Sequence, residues 1–419
     1  MQIIEPAQQM EKEKSSTKKN ITLLIIVAAL GYFVDIYDLI LFSVIRIKSL
    51  NGLGITDPDQ LASIGSFLLN CQMIGMLTGG ILWGVLGDKK GRLWVLFGSI
   101  ITYSLANIAN GFVTSVDQYA ILRFIAGVGL AGELGAGITL ITETMSKENR
   151  GYGTMLIAGI GLFGAVVAAQ VGKHYDWQTS FIVGGIMGLV LLLLRLGVIE
   201  SGMFHKVKSE EVQRGNFFML FTSWNKFKRF INSILIAVPV WFVIGVIVTF
   251  ANDFGKEMNA TEPLSPGNGI MYAYIGIAIG DLLCGALSQV FKTRKKIVFI
   301  FLTATLVSVV FFLFSRNFNA QFFHIMCFIM GLSTGYWVVF VTMGAEQFGT
   351  NIRATVATTI PNFVRGSLVV VLLFYNWLKP TQGVIHSGLI VGLFTIGIAY
   401  FALFNLSETY GKDLDYVEK

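Results

Sequence analysis

The chain has 419 residues, 54% of them hydrophobic and only 13% charged, with 34 Phe and a mean hydropathy of +0.68. Soluble domains average about 25% charged residues, so a set of water-soluble domains is excluded and lipid is the implied solvent. The net charge of +6 comes from basic residues in short loops beside apolar runs, which is a topology signal and excludes a nucleic-acid partner.

In lipid the backbone must satisfy its own hydrogen bonds, which leaves helices or a closed barrel. Apolar runs of about 20 residues without period-two alternation predict helices. The expected fold is therefore an all-α membrane protein of twelve transmembrane helices in two pseudo-symmetric six-helix bundles. Residues 1–20 form a polar, Lys-containing tail with no cleavage site and read as a cytoplasmic segment. Spans near 21–47, 61–87, 93–113, 118–145, 152–172 and 179–199 make an N-terminal bundle, 21–199. A charged linker, 200–229, leads to spans near 230–252, 269–291, 297–315, 320–346, 354–377 and 384–405. These make a C-terminal bundle, 230–405, and 406–419 is a second tail. With both termini inside, 22 of the 31 Lys and Arg lie on the cytoplasmic side, 6 on the other and 3 within spans. That asymmetry fixes the expected orientation.

An ionisable group inside a span is costly and marks a functional site by default. The first span carries Asp35 and Asp38, one turn apart and roughly 21 Å from the inner face at about 1.5 Å per residue. Two carboxylates this close in a dry site cannot both ionise cheaply, which suits proton coupling. Tyr32 and Tyr37 flank them, and Asn70 and Gln72 in the second span, with Gln170 in the fifth, add polar groups. Arg123 enters the fourth span at a similar level, so a switchable Arg123–Asp35 pair is expected. Glu133 lies deeper on that span between Gly132 and Gly135, placed to carry a proton or hold an ammonium. Asp281 sits in the middle of the eighth span, and Arg365 in the eleventh follows Pro361 and Asn362. A guanidinium at the midplane is a fork for a substrate carboxylate; the alternative is a salt bridge from Arg365 to Asp281. Trp241, Tyr336 and Trp337 complete the candidate lining.

Between the second and third spans runs a basic, glycine-rich hairpin from Gly84 to Arg92 that includes Asp88 and Gly91. Gly285-Ala286-Leu287 before the basic hairpin 292–296 repeats its start after 201 residues. Glu143 with Arg150 recurs as Glu346 with Arg353 after 203. The two offsets indicate an internal duplication. These charged residues are expected to latch the inner side shut and bias the outward-open state. Cys71, Cys284 and Cys327 read as small core residues. His174, His205, His324 and His386 form no ligand cluster, and neither a metal, a cofactor nor an enzyme activity is expected.

Gly84 to Arg92 resembles the cytoplasmic signature of the major facilitator superfamily, G-x-L-x-D-x-x-G-R. Leu122 to Gly129 resembles its fourth-helix arginine motif, and Glu143 with Arg150-Gly151 its helix 4–5 charge motif. The second-half copy at 285–296 lacks the Asp. Asp35-Ile36-Tyr37-Asp38 is similar to the D-G-Y-D element of aromatic-acid and metabolite proton symporters, with Ile36 in place of Gly. The ending Glu408 to Asp413 is similar to the same branch, and the combination also resembles amino-acid nutrient transporters of intracellular bacteria. The resemblance implies a monomeric secondary transporter, working in the lipid bilayer by alternating access. Its partners are then a proton and a small carboxylate-bearing nutrient, an amino acid or organic acid, that it imports. The rivals are an exporter of a drug or siderophore and a non-transporting nutrient sensor.

Overall fold

A computed structural model describes residues 6–135, 137, 150–199, 217–349, 351–412 and 418. The N-terminal half contains α1 (Pro6–Gly52), α2 (Pro58–Lys90), α3 (Arg92–Asn110), α4 (Val116–Leu130), α5 (Arg150–His174) and α6 (Trp177–Ile199). Local sequence sets the starts. Asp57 accepts from the Gln60 N–H ahead of α2, with Pro58 in the first turn, and Ser115 accepts from the Gln118 N–H ahead of α4.

The C-terminal half is less regular. Its first crossing is built from α7 (Trp224–Leu235), α8 (Val238–Phe242), a π-helical stretch (Val243–Val248) and α9 (Ala251–Glu257). Pro239 lacks an N–H, and the Thr249 N–H and hydroxyl both reach back five residues to the Ile244 carbonyl, at 3.1 and 2.7 Å. Next come α10 (Pro266–Val290), α11 (Lys295–Phe314), α12 (Ala320–Thr334), α13 (Trp337–Glu346) and α14 (Arg353–Asn405). α12 and α13 are one crossing interrupted at Gly335-Tyr336. Gly335 there packs on Gly280 of α10, backbone against backbone. The sequence pattern predicts the seventh and tenth spans as unbroken; both are broken near mid-membrane, because hydropathy reports length and not backbone continuity.

Among the described residues, nine helical stretches are long and apolar enough to cross a membrane. One of them, Thr355–Asn405, is two crossings joined at Gly383, whose φ of 75° favours glycine. α3 and α4 are further apolar helices, so the expected twelve crossings are met. Large apolar side chains such as Phe112, Leu193, Val307 and Phe401 stand on the outer surface. In water that would be a liability; in a bilayer it is the lipid-facing wall. The halves meet where α14 packs along α2 and α10 packs along α5.

Candidate functional site

A narrow cavity lies between the halves. α1 contributes Tyr32 and Ile36, the broken seventh crossing Trp241, α10 Tyr274, α13 Trp337 and α14 Arg365. Both interrupted crossings thus bring their breaks to its wall, the position where irregular backbone is tolerated in a membrane.

Arg365 is 1% exposed. Its Nη1 donates to Asn362 Oδ1 at 3.2 Å, and Asn362 is itself held by donating to the carbonyls of Ala131 and Thr358 at 2.8 and 2.7 Å. The guanidinium lies over the Trp337 ring at 5.6 Å. Nη2 faces Asp35 Oδ2 at 3.7 Å, beyond hydrogen-bond reach. Among the described residues, Nε and Nη2 of Arg365 and both oxygens of Asp35 have no hydrogen-bond partner.

The expected Arg123–Asp35 pair is therefore corrected: Asp35 is paired with Arg365. Arg123 and Asn107 instead flank Asp38 inside the N-terminal half. Arg123 Nη2 donates to Asn107 Oδ1 at 3.4 Å, and the guanidinium lies 5.0 Å over Phe181 and 5.7 Å over Phe42. The physical reason is rotation. Three residues along a helix turn the side chain by about 60°, so Asp35 faces Arg365 of α14 while Asp38 faces α3, α4 and α6.

Glu133 is neither in the cavity wall nor open to an ammonium. Arg195 of α6 grips both its oxygens, at 3.0 and 2.8 Å, and Ser99 of α3 donates at 3.3 Å. Arg195 was visible in the sequence as the third in-span arginine, yet only the fold identifies its partner. Asp281 does not bridge to Arg365. It accepts from the Val338 N–H at 3.1 Å and so caps the N-terminus of α13. Tyr37 and Tyr336 are tied to packing, donating to the carbonyls of Ser180 and Ile236 at 2.8 and 3.0 Å. Gln170 is exposed at the far end of α5, against Met271 of α10. Asn70 is half-buried on α2, and Gln72 is fully buried there. Tyr274 was missed, having no charge or motif to single it out.

Of the expected latch residues, Glu143 and the side chains of Asp88, Arg92 and Arg150 lie outside the described residues. Gly91 ends α2 with a φ of 98°. Gly84 lies against Thr355 of α14, Gly80 against Asn362, and Gly135 against Thr358. Small residues thus let the two halves touch at this end. In the second half, Glu346 pairs with Arg294 at 2.7 Å, while Arg353 donates to the Phe348 carbonyl at 3.4 Å. Glu408 accepts from Thr293 Oγ1 at 2.7 Å and from the N–H groups of Arg294 and Lys295. Burial pushes the Glu408 carboxyl up, but the Thr293 hydroxyl and the N–H groups of Tyr410, Arg294 and Lys295 outweigh it and hold the carboxyl at about 2.

Relatives agree with this architecture. The chain is 24% identical over 435 residues to the niacin transporter NiaP of Acinetobacter baylyi, covering 94% of this chain and 95% of the relative. It is 26% identical over 347 residues to the 3-(3-hydroxy-phenyl)propionate transporter of Escherichia coli, covering 80% and 84%. Its fold matches the proton:xylose symporter XylE with a TM-score of 0.69 at 17% identity, over 95% of this chain and 98% of that one. Residues 22–367 match the family model described as Major Facilitator Superfamily, and the chain, a multi-pass membrane transporter and not an enzyme, belongs to that superfamily.

Proposed function

We propose that the protein imports a small organic carboxylate together with a proton, by alternating access across a bacterial inner membrane with both termini inside. The observation that carries this is the loose pair between the halves. Among the described residues, Arg365 keeps the Nε–Nη2 edge of its fork without a hydrogen bond, and Asp35 stands 3.7 Å away with no other partner. A cargo carboxylate can take that edge with two parallel hydrogen bonds. Asp35 then loses its counter-charge in a buried site and must take a proton to remain there. Cargo and proton bind together as a neutral load, and release of either lets Asp35 reclaim Arg365. The Asp38–Arg123 cluster, one turn further along α1, is the acceptor through which the proton reaches Asp35.

The cargo is an aromatic or heteroaromatic acid rather than an amino acid. The aromatic walls support this, as do the cargoes named for the niacin and 3-(3-hydroxy-phenyl)propionate transporters. Glu133, the group that could have met an ammonium, is bound by Arg195. The test is uptake into proteoliposomes with an imposed inward proton gradient. Accumulation should vanish when the gradient is collapsed, while exchange of cargo against cargo continues. Accumulation that survives collapse of the gradient would refute proton coupling.

A further inference from the structure

The cavity holds a second kind of unpaired donor. Trp241, on the seventh crossing, and Trp337, the first residue of α13, are 5% and 4% exposed and line the cavity. The indole Nε1–H of each is buried without an acceptor among the described residues. An indole N–H can only donate, and buried donors in native proteins are paired as a rule. An unpaired one in the wall of a ligand cavity is a contact point for the ligand. Trp337 is also fixed in place, edge-on to Phe340 at 4.9 Å with the Arg365 guanidinium over its face. Its N–H and the free edge of Arg365 are therefore held in one rigid unit.

We propose that Trp241 and Trp337 set the cargo's identity: it carries, besides its carboxylate, a hydrogen-bond acceptor on the ring, either a ring nitrogen or a hydroxyl or carbonyl oxygen. The inference rests on the carboxylate reading of Arg365 and adds the other end of the molecule. With the carboxylate on Arg365 and the ring against Tyr32 and Tyr274, a plain ring leaves the indole donors unpaired. A ring with an acceptor satisfies them. One buried hydrogen bond made or lost corresponds to an affinity ratio on the order of 5- to 150-fold.

The test compares matched acids on the purified full-length protein by thermal shift and binding titration: benzoate against 3-hydroxybenzoate, 4-hydroxybenzoate and nicotinate. At least one acceptor-bearing acid should bind the unaltered protein about 5- to 150-fold tighter than benzoate. Trp241→Phe or Trp337→Phe should shrink that ratio towards one, whatever the change in benzoate's own affinity. Equal binding of benzoate and all three others overturns the proposal, as does an unchanged ratio in both variants. The comparison in the unaltered protein decides the matter even if a variant fails to fold. Failure of the carboxylate reading looks different: no acid binds the unaltered protein, or Arg365→Ala binds all four as before.

Discussion

Two buried Arg–carboxylate pairs in this protein are built in opposite ways. Glu133 and Arg195 join α4 to α6 within one half, through two bonds of 3.0 and 2.8 Å with Ser99 in support. Asp35 and Arg365 join α1 to α14 across the two halves, at 3.7 Å with no hydrogen bond between them. Both pairs are almost completely buried, so burial does not explain the difference. Location does. A pair inside one rigid bundle is never asked to part, and its geometry can be made optimal. In the proposed cycle a pair that spans the seam between the halves opens at each turnover and gives way to cargo, and a tight bidentate bond there would be a trap.

The sharpest way to break this comparison is to cut the tight pair. Arg195→Ala leaves Glu133 buried without its partner, which should cost about 3–5 kcal/mol of stability. The readout is the unfolding temperature in detergent, and a variant as stable as the parent would show that the pair is not structural. Glu133→Gln with Arg195 intact should be milder. Asp35→Asn should give the reverse pattern. Stability should hold, cargo should still bind because Arg365 is freed, and exchange should persist. Gradient-driven accumulation should fall by about two orders of magnitude, and proton uptake on binding, measured by calorimetry in buffers of different ionisation enthalpy, should vanish. Accumulation at the parent's level in Asp35→Asn would move the coupling role elsewhere.

The difference between these pairs was only half legible in the chain. Hydropathy and the placement of Lys and Arg give twelve crossings, because lipid leaves the backbone no alternative to helices. Counting residues from span ends gives depth, and it puts Asp35, Arg123 and Arg365 near one level. It does not give rotation, so Arg123 was assigned to Asp35 when its neighbour is Asp38. Nor does it give contacts between distant helices: Arg195 meets Glu133 across 62 positions, and no local pattern records that. The breaks at Pro239 and Gly335 were hidden for a related reason. Proline and glycine are common in membrane helices, and whether they interrupt one depends on what packs beside them, here Gly280.

The seam itself can be sharpened at Gly135. Thr358 of α14 occupies the space a side chain there would need. Gly135→Val should therefore hold the halves apart at the end carrying the basic hairpins, with an overpacking cost of about 1–3 kcal/mol when they close. A cysteine placed on that side of the cavity should label faster in the variant than in the parent, and equal rates would mean that the contact does not gate access.

Glu408 offers the smallest effect and the cleanest control, since its contacts tie α11 to the end of α14 within the C-terminal half. Its carboxyl is held at about 2 in the fold against an ordinary value of 4.5. A depressed carboxyl stabilises the fold fully above its unfolded value, and the benefit is lost as pH falls through the folded one. The parent should therefore lose this contribution between about pH 4.5 and 2. Glu408→Gln lacks the charge at every pH, so it should unfold at a lower temperature than the parent at pH 7, and the gap should close across that acid window. Because this contact lies inside one half, like Glu133–Arg195 and unlike Asp35–Arg365, uptake at neutral pH should be unchanged. If Glu408→Gln instead altered the uptake rate while leaving the unfolding temperature alone, the contact would belong with the moving seam, and the division between fixed and exchanging pairs would have to be redrawn.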